Sequence, residues 1–282
     1  MKYILFNPKS KNGNNVEIIK DLENIIGEEV ESKTSVLDKK NYLNILESLT
    51  SDDQVYIVGG DGTLHYFVND VKGKEVNYDV YFYAGGTGND FYTDVKKESD
   101  TKLIRINDYI KDLPTVYVNG MERLFINGIG FGIDGYCCEK GDELQAKSDK
   151  PVNYTAIAIK GLLFHFKTPR AKVTVDGVTK EYKKVWLAPT MKGRFYGGGM
   201  NVAPEQDRLN PNKTVTNVVW HKSGKLKTLM VFPSIFKGEH VKQKKLIEIV
   251  EGHHVIVEFS RPTALQIDGE TVSGVTKYEV KA

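Results

Sequence analysis

The stretch "QVYIVGGDGTLHYFVND", residues 54–70, constrains the fold of this chain more than any other. An apolar strand runs straight into Gly59, Gly60, Asp61 and Gly62, and a helical pattern opens directly behind them. A strand that is apolar throughout is covered on both faces, the signature of a parallel sheet flanked by helices. The pattern recurs: "KYILF" (2–6) enters "NPKSKNG" (7–13), and "DVYFYA" (79–84) enters "GGTGNDF" (85–91). Parallel strands end along one carboxyl edge, so these three turns are expected side by side, where open α/β sheets take their ligands. Between the strands, Val16, Ile19, Leu22, Ile25 and Ile26 recur at helical spacing with Gly27 as the C-terminal cap. Tyr42, Leu43, Ile45, Leu46 and Leu49 repeat that spacing.

Glycines at such an edge let backbone N–H groups approach an anion, and a helix starting near Thr63 turns its positive end toward the same place. Lys9, Ser10 and Lys11 add donors, as do the Thr63 and Thr87 hydroxyls. The edge reads as a cradle for nucleotide phosphates. Neither a Walker A pattern nor a G-x-G-x-x-G fingerprint is present, so the ordinary P-loop and Rossmann readings fail. Asp61 is the only charged group in its turn. An acid among phosphate-binding glycines repels phosphate unless a cation bridges the two or the acid faces a hydroxyl, and either arrangement belongs to phosphoryl transfer.

Around residue 113 the texture changes to short strand-like runs meeting at Asn-Gly and Asp-Gly turns: "TVYVNG", "RLFINGIGFGID", "AKVTVDGVTKEYKKVWLAP", "TVTNVVW", "HVIVEF" and "ALQIDGETV". Helical patterns interrupt them at "NYTAIAIKGLLFHF" and "KLKTLMVFPSIF". Two domains follow: residues 1–112 as an α/β nucleotide-binding domain of three layers, and residues 113–282 as a second, β-rich one, with the extreme C-terminus free to pack back on the first. The net charge of +2 conceals −6 on the first domain and +8 on the second. A basic second half suits a phosphorylated ligand or an anionic membrane, and no nucleic-acid motif accompanies it. The two cysteines, Cys137 and Cys138, are adjacent and do not suggest a bridge or a zinc site, and His253–His254 reads as surface. No apolar run reaches the ~18 residues of a membrane span, and the first residues read as a strand, so a cytoplasmic location is expected.

At this point the chain resembles the diacylglycerol-kinase catalytic domain shared by bacterial lipid kinases, ceramide kinases and sphingosine kinases. The motifs that carry the resemblance are the Asn-Pro-x-Ser turn, "GGDGT" and "GTGNDF", then "NGIGFGIDG" (127–135), "GGGMNVAP" (197–204) and "QIDGE" (266–270). Their order spans residues 7–270, nearly the whole chain. The resemblance implies an N-terminal α/β domain followed by a β-sandwich, with ATP in the cleft between them. It implies nucleotide contacts from Asn7, Pro8, Lys9, Ser10, Lys11, Thr34, Gly59, Gly60, Asp61, Gly62, Thr63, Leu64, His65 and Thr87. Catalytic roles fall to Asp61, positioning metal or hydroxyl, and to Glu270 as general base toward the acceptor hydroxyl. Mg²⁺ is expected with the ATP.

The chain departs from the family pattern in two places. His65 and Tyr66 stand where the family has Asn and an acid, and "EQDRLNPN" (205–212) replaces its Asp-Asp-Gly metal loop, leaving Asp207 and Asn210 as candidate metal ligands. The expected activity is phosphorylation of diacylglycerol or a related lipid. The alternatives are a catalytically silent nucleotide- or lipid-binding member, and an NAD kinase, whose Thr-Pro-Thr-Gly-Ser-like segment is missing. The expected partner is a lipid at an anionic membrane surface on the inner face, reached peripherally, with "FKGEHVKQKK" (236–245) as the densest basic stretch. A homodimer is compatible with the sequence.

Overall fold

The computed structural model describes residues 1–8, 15–27, 29–86, 88–97, 102–147 and 152–282, without the side chains of residues 15 and 155. Lys9, Ser10, Lys11 and Thr87 lie outside the described residues. The chain divides into two compact units, Met1–Asp112 and Leu113–Ala282.

The first unit alternates strand and helix: β1 (Lys2–Phe6), α1 (Asn15–Ile26), β2 (Ser32–Ser35), α2 (Lys39–Ser48), β3 (Gln54–Gly59), α3 (Asp61–Asp70), β4 (Asp79–Ala84), α4 (Asp90–Val95), β5 (Leu103–Arg105) and α5 (Asn107–Ile110). The sheet order is β2-β1-β3-β4-β5, parallel except for the antiparallel β5. Both faces of the central strands are buried. Ile4, Tyr56 and Val58 meet Ile18, Ile19 and Leu22 of α1 on one face, while Leu5, Val55, Ile57 and Phe82 are covered on the other, where Phe82 meets the edge of Phe91 in α4. Gly27 ends α1 in the left-handed region at φ 66° and donates its N–H to Glu23. Strand order reverses about β1: β2 lies on one side and β3 on the other. The switch point between β1 and β3 is where an open α/β sheet parts to admit a ligand.

The second unit contains β6 (Thr115–Val118), β7 (Met121–Leu124), β8 (Gly128–Phe131), α6 (Ile133–Gln145) and α7 (Tyr154–Lys160), which continues as a π-helical turn (Gly161–His165). After these come β9 (Ala171–Val175), β10 (Val178–Tyr182), β11 (Thr190–Met191), β12 (Phe195–Tyr196), β13 (Met200–Asn201), β14 (Val215–Trp220) and α8 (Lys225–Val231). Two 3₁₀ turns (Phe232–Lys237 and Glu239–Lys242), β15 (Ile247–Gly252), β16 (His254–Ile267) and β17 (Glu270–Lys281) complete it. The main sheet runs β15-β14-β11-β8-β16-β17-β6-β7, and β9 joins it beside β16. The "HVIVEF" and "ALQI" runs form one long strand, irregular between Glu258 and Thr263. The "KLKTLMVFPSIF" helix breaks at Phe232, with Pro233 in the first turn of the 3₁₀ segment. The extreme C-terminus stays with the second unit: Ala282 donates its N–H to His253, and β17 pairs with β16 and β6.

Candidate functional site

In the first unit the site is built by two turns lying backbone on backbone. A Cβ at Gly60 would stand 2.6 Å from the Gly88 carbonyl oxygen, and one at Gly86 would stand 2.4 Å from the Gly60 Cα. Only glycine allows that approach. The Gly85 and Gly86 N–H groups both donate to the Gly59 carbonyl at 2.9 Å, and the Asp61 N–H donates to Gly88 at 3.0 Å. The Asp61 carboxylate completes the join: its oxygens accept from the Asp90 N–H at 2.7 Å and the Phe91 N–H at 3.0 Å, the first amides of α4. These are charge-assisted bonds at the positive end of a helix. The acid therefore clasps the turn after β3 to the turn after β4.

β1 joins the same place. The Asn7 N–H donates to Val58 at 3.2 Å, and its side-chain amide donates to the Thr63 hydroxyl at 3.3 Å. Gly59 is needed for that hydroxyl, because a Cβ there would stand 2.3 Å from it. Gly62 is different. A Cβ on it would meet nothing within 4 Å, and among the described residues its N–H, in the first turn of α3, has no partner. Asn7, Pro8, Gly59 to Thr63 and Asp90 are thus gathered at the switch point. The Leu64 and His65 side chains are turned inward and buried, so neither presents its side chain to a ligand in this structure. Thr34 is buried in β2, on the far side of β1 from these turns.

In the second unit Glu270 opens β17 and is exposed at the tip of the β16–β17 hairpin. The two turn residues, Asp268 (φ 48°) and Gly269 (φ 98°), are both left-handed, as a tight antiparallel turn demands. Asp268 does more than turn the chain. Its buried carboxylate accepts the N–H groups of Ile126 (2.7 Å), Asn127 (2.8 Å) and Gly128 (3.0 Å), fixing the start of the "NGIGFGIDG" segment beneath the hairpin. Sequence reasoning missed this role, and nothing local signals it, because an Asp-Gly turn needs no such partner. Behind the turn, Gln266 accepts the Gly269 N–H at 2.7 Å. Asp134, at the start of α6, accepts the Tyr196 hydroxyl at 2.6 Å in a closed interior. Burial pushes its carboxyl up to about 6 against the opposing pull of that hydroxyl. Burial also pushes the Cys137 and Cys138 thiols up to about 12, which makes both poor nucleophiles.

Asp207 and Asn210 are both engaged within their own loop. The Asn210 amide donates to the Thr214 hydroxyl at 3.0 Å and its oxygen accepts the Thr214 N–H, while Asp207 accepts the Leu209 N–H at 2.9 Å. Beside Asp207, buried Arg208 donates to the Ile126 carbonyl at 2.6 Å and to the Asn127 side chain. Among the described residues no group of three His, Cys, Asp or Glu side chains is placed to hold a metal.

The comparisons with known proteins agree with this architecture. Residues 2–113 match the family model "Diacylglycerol kinase catalytic domain", and residues 127–280 match "YegS C-terminal NAD kinase beta sandwich-like domain". "Putative lipid kinase YtlR" of Bacillus subtilis (strain 168) is 24% identical over 266 residues, 85% of this chain and 84% of that protein. A "Diacylglycerol kinase" of Mycobacterium tuberculosis (strain ATCC 25618 / H37Rv) is 24% identical over 197 residues, 67% of this chain and 62% of its own length. In fold, the chain is similar to the crystal structure of a "putative diacylglycerol kinase" from Bacillus anthracis str. Sterne, with TM-score 0.71, 17% identity, and coverage of 99% and 91% of the two chains.

Proposed function

We infer that this chain, which belongs to the diacylglycerol kinase catalytic domain family, transfers the γ-phosphate of ATP to a hydroxyl of diacylglycerol or a related lipid. The observation that carries this reading is the pair of interlocked glycine turns after β3 and β4, beside the β1/β3 switch point, with the Gly62 N–H left open at the start of α3. A backbone donor at a helix N-terminus suits a phosphate oxygen. Asn7 and Thr63 hold the neighbouring strand end in register, and Asp61 keeps the two turns at a fixed separation.

In the transfer, the acceptor hydroxyl oxygen forms a bond to the γ-phosphorus, the bond from that phosphorus to the β,γ-bridging oxygen breaks, and ADP leaves. The hydroxyl proton passes to a carboxylate, and the exposed Glu270 is assigned that role. Mg²⁺ enters this proposal as the ion that accompanies the nucleotide phosphates.

The test is incubation of the purified protein with labelled ATP and a total lipid extract. Label is expected in a phospholipid product, at least ~10²-fold more slowly with Glu270→Gln while ATP affinity holds. Label in no lipid, with ATP still bound, points to a silent member of the family, and label on NAD in a parallel incubation supplied with NAD points to an NAD kinase.

A further inference from the structure

The second unit leaves large apolar side chains in water on two adjoining elements. Phe164, in the π-helical turn, is 72% exposed, and on α8 Leu226 and Met230 are 72% and 74% exposed. Neither element is loose. The π-helical turn buries Leu162 and is followed by buried Phe166, so Phe164 is put outside by the geometry of a rare helical form often found at functional sites. The other side of α8 is anchored through buried Thr228, whose hydroxyl lies 2.7 Å from that of Ser223. Leu226 and Met230, one turn apart, therefore share the outward face. The Lys225 ammonium donates to the Leu163 carbonyl at 2.7 Å and holds α8 beside the π-helical turn, against which it packs.

A single exposed leucine is ordinary, but a cluster of this kind marks an interaction surface. Its charge says which. Residues 154–167 and 222–237 contain no Asp or Glu, and Lys160, Lys167, Lys222, Lys227 and Lys237 of these segments are all exposed. A second copy of the same face, related by a two-fold axis, would set this lysine rim against itself. An anionic bilayer complements it.

We propose that Phe164, Leu226 and Met230, with the surrounding lysines, form the docking surface for an anionic lipid membrane. The apolar side chains enter the boundary between headgroups and acyl chains, and the ammonium groups meet lipid phosphates. The proposal rests on the lipid-kinase reading for its purpose, since the acceptor must be met where it lies. It shares only Lys237 with the basic run at 236–245, where Lys242 is paired with Glu239 at 3.1 Å.

Sedimentation with unilamellar vesicles tests it, using equimolar phosphatidylglycerol and phosphatidylcholine against phosphatidylcholine alone. The wild-type protein is expected to sediment with the anionic vesicles, and Leu226→Gln/Met230→Gln to bind them at least ~10-fold more weakly with an unchanged melting temperature. Phe164→Gln should act in the same direction. Turnover of a bilayer lipid should fall in the double variant while turnover of a short-chain, water-soluble acceptor holds. Unchanged sedimentation of the double variant overturns the proposal, as does a wild-type dimer that the double variant dissolves, which would show a second copy covering the face. Loss of vesicle binding in a protein whose wild type phosphorylates no lipid would sustain the docking surface and sink the kinase reading alone.

Discussion

Asp61 accepts two backbone N–H groups with two carboxylate oxygens, and an asparagine can accept with only one. Asp61→Asn must set an amide N–H₂ against one of the α4 amides, at a cost of about 1–3 kcal/mol, and the glycine turns should shift with it. We expect turnover to fall by at least ~10²-fold and the denaturant midpoint to drop. A variant with unchanged midpoint and turnover would remove Asp61 from both roles. Asp134 gives a separate signature. Its carboxyl rises from 3.8 to about 6 on folding, so the folded state binds the proton more tightly than the unfolded chain. Its favourable contribution is complete below about pH 4 and is lost as pH rises through 6, a change on the order of 3 kcal/mol. Urea melts from pH 4 to 7 should show wild type losing stability relative to Asp134→Asn across that window, and parallel pH profiles would refute it.

The strand–turn–helix element from β3 to α3 holds glycines of two kinds. Gly60→Ala drives a Cβ to 2.6 Å from a backbone carbonyl that cannot step aside without moving the neighbouring turn, so this variant should lose both stability and nucleotide binding. Gly62→Ala meets nothing, and alanine favours a helix over glycine by about 0.8–1 kcal/mol. The Gly62 variant is therefore expected to melt at an equal or higher temperature while binding ATP more weakly, because the methyl group intrudes where a phosphate oxygen is proposed to sit. Calorimetric melting with and without ATP separates the two effects. If ATP raises the melting temperature of Gly62→Ala as much as that of wild type, the phosphate is bound elsewhere.

At the scale of the molecule, charge is divided between units of −6 and +8, and among the described residues no helix is long and apolar enough to cross a membrane. Binding to anionic vesicles should therefore fall as salt rises from about 0.05 to 0.3 M, as the screening length shortens, while turnover of a soluble acceptor changes little. Salt-independent sedimentation would mean that apolar insertion alone holds the protein. The alternation of apolar strands and helices, the change of texture near residue 113 and the glycine turns after β3 and β4 were legible in the chain, because periodicity and turn chemistry are local. Three features were not: α6, whose helical pattern is weak and interrupted by Gly141, the inward burial of His65, and the clasp made by Asp61. Asp268 grips amides 140 to 142 positions away, and Arg208 closes a loop in which Asp207 and Asn210 read as metal ligands. Local pattern was enough to read most strands, helices and turns, and to bring the glycine turns to the carboxyl edge of the first sheet. What each acid and each glycine faces came from the folded chain, because hydrogen bonds between distant segments depend on how the chain closes in space and leave no mark on the spacing of residues.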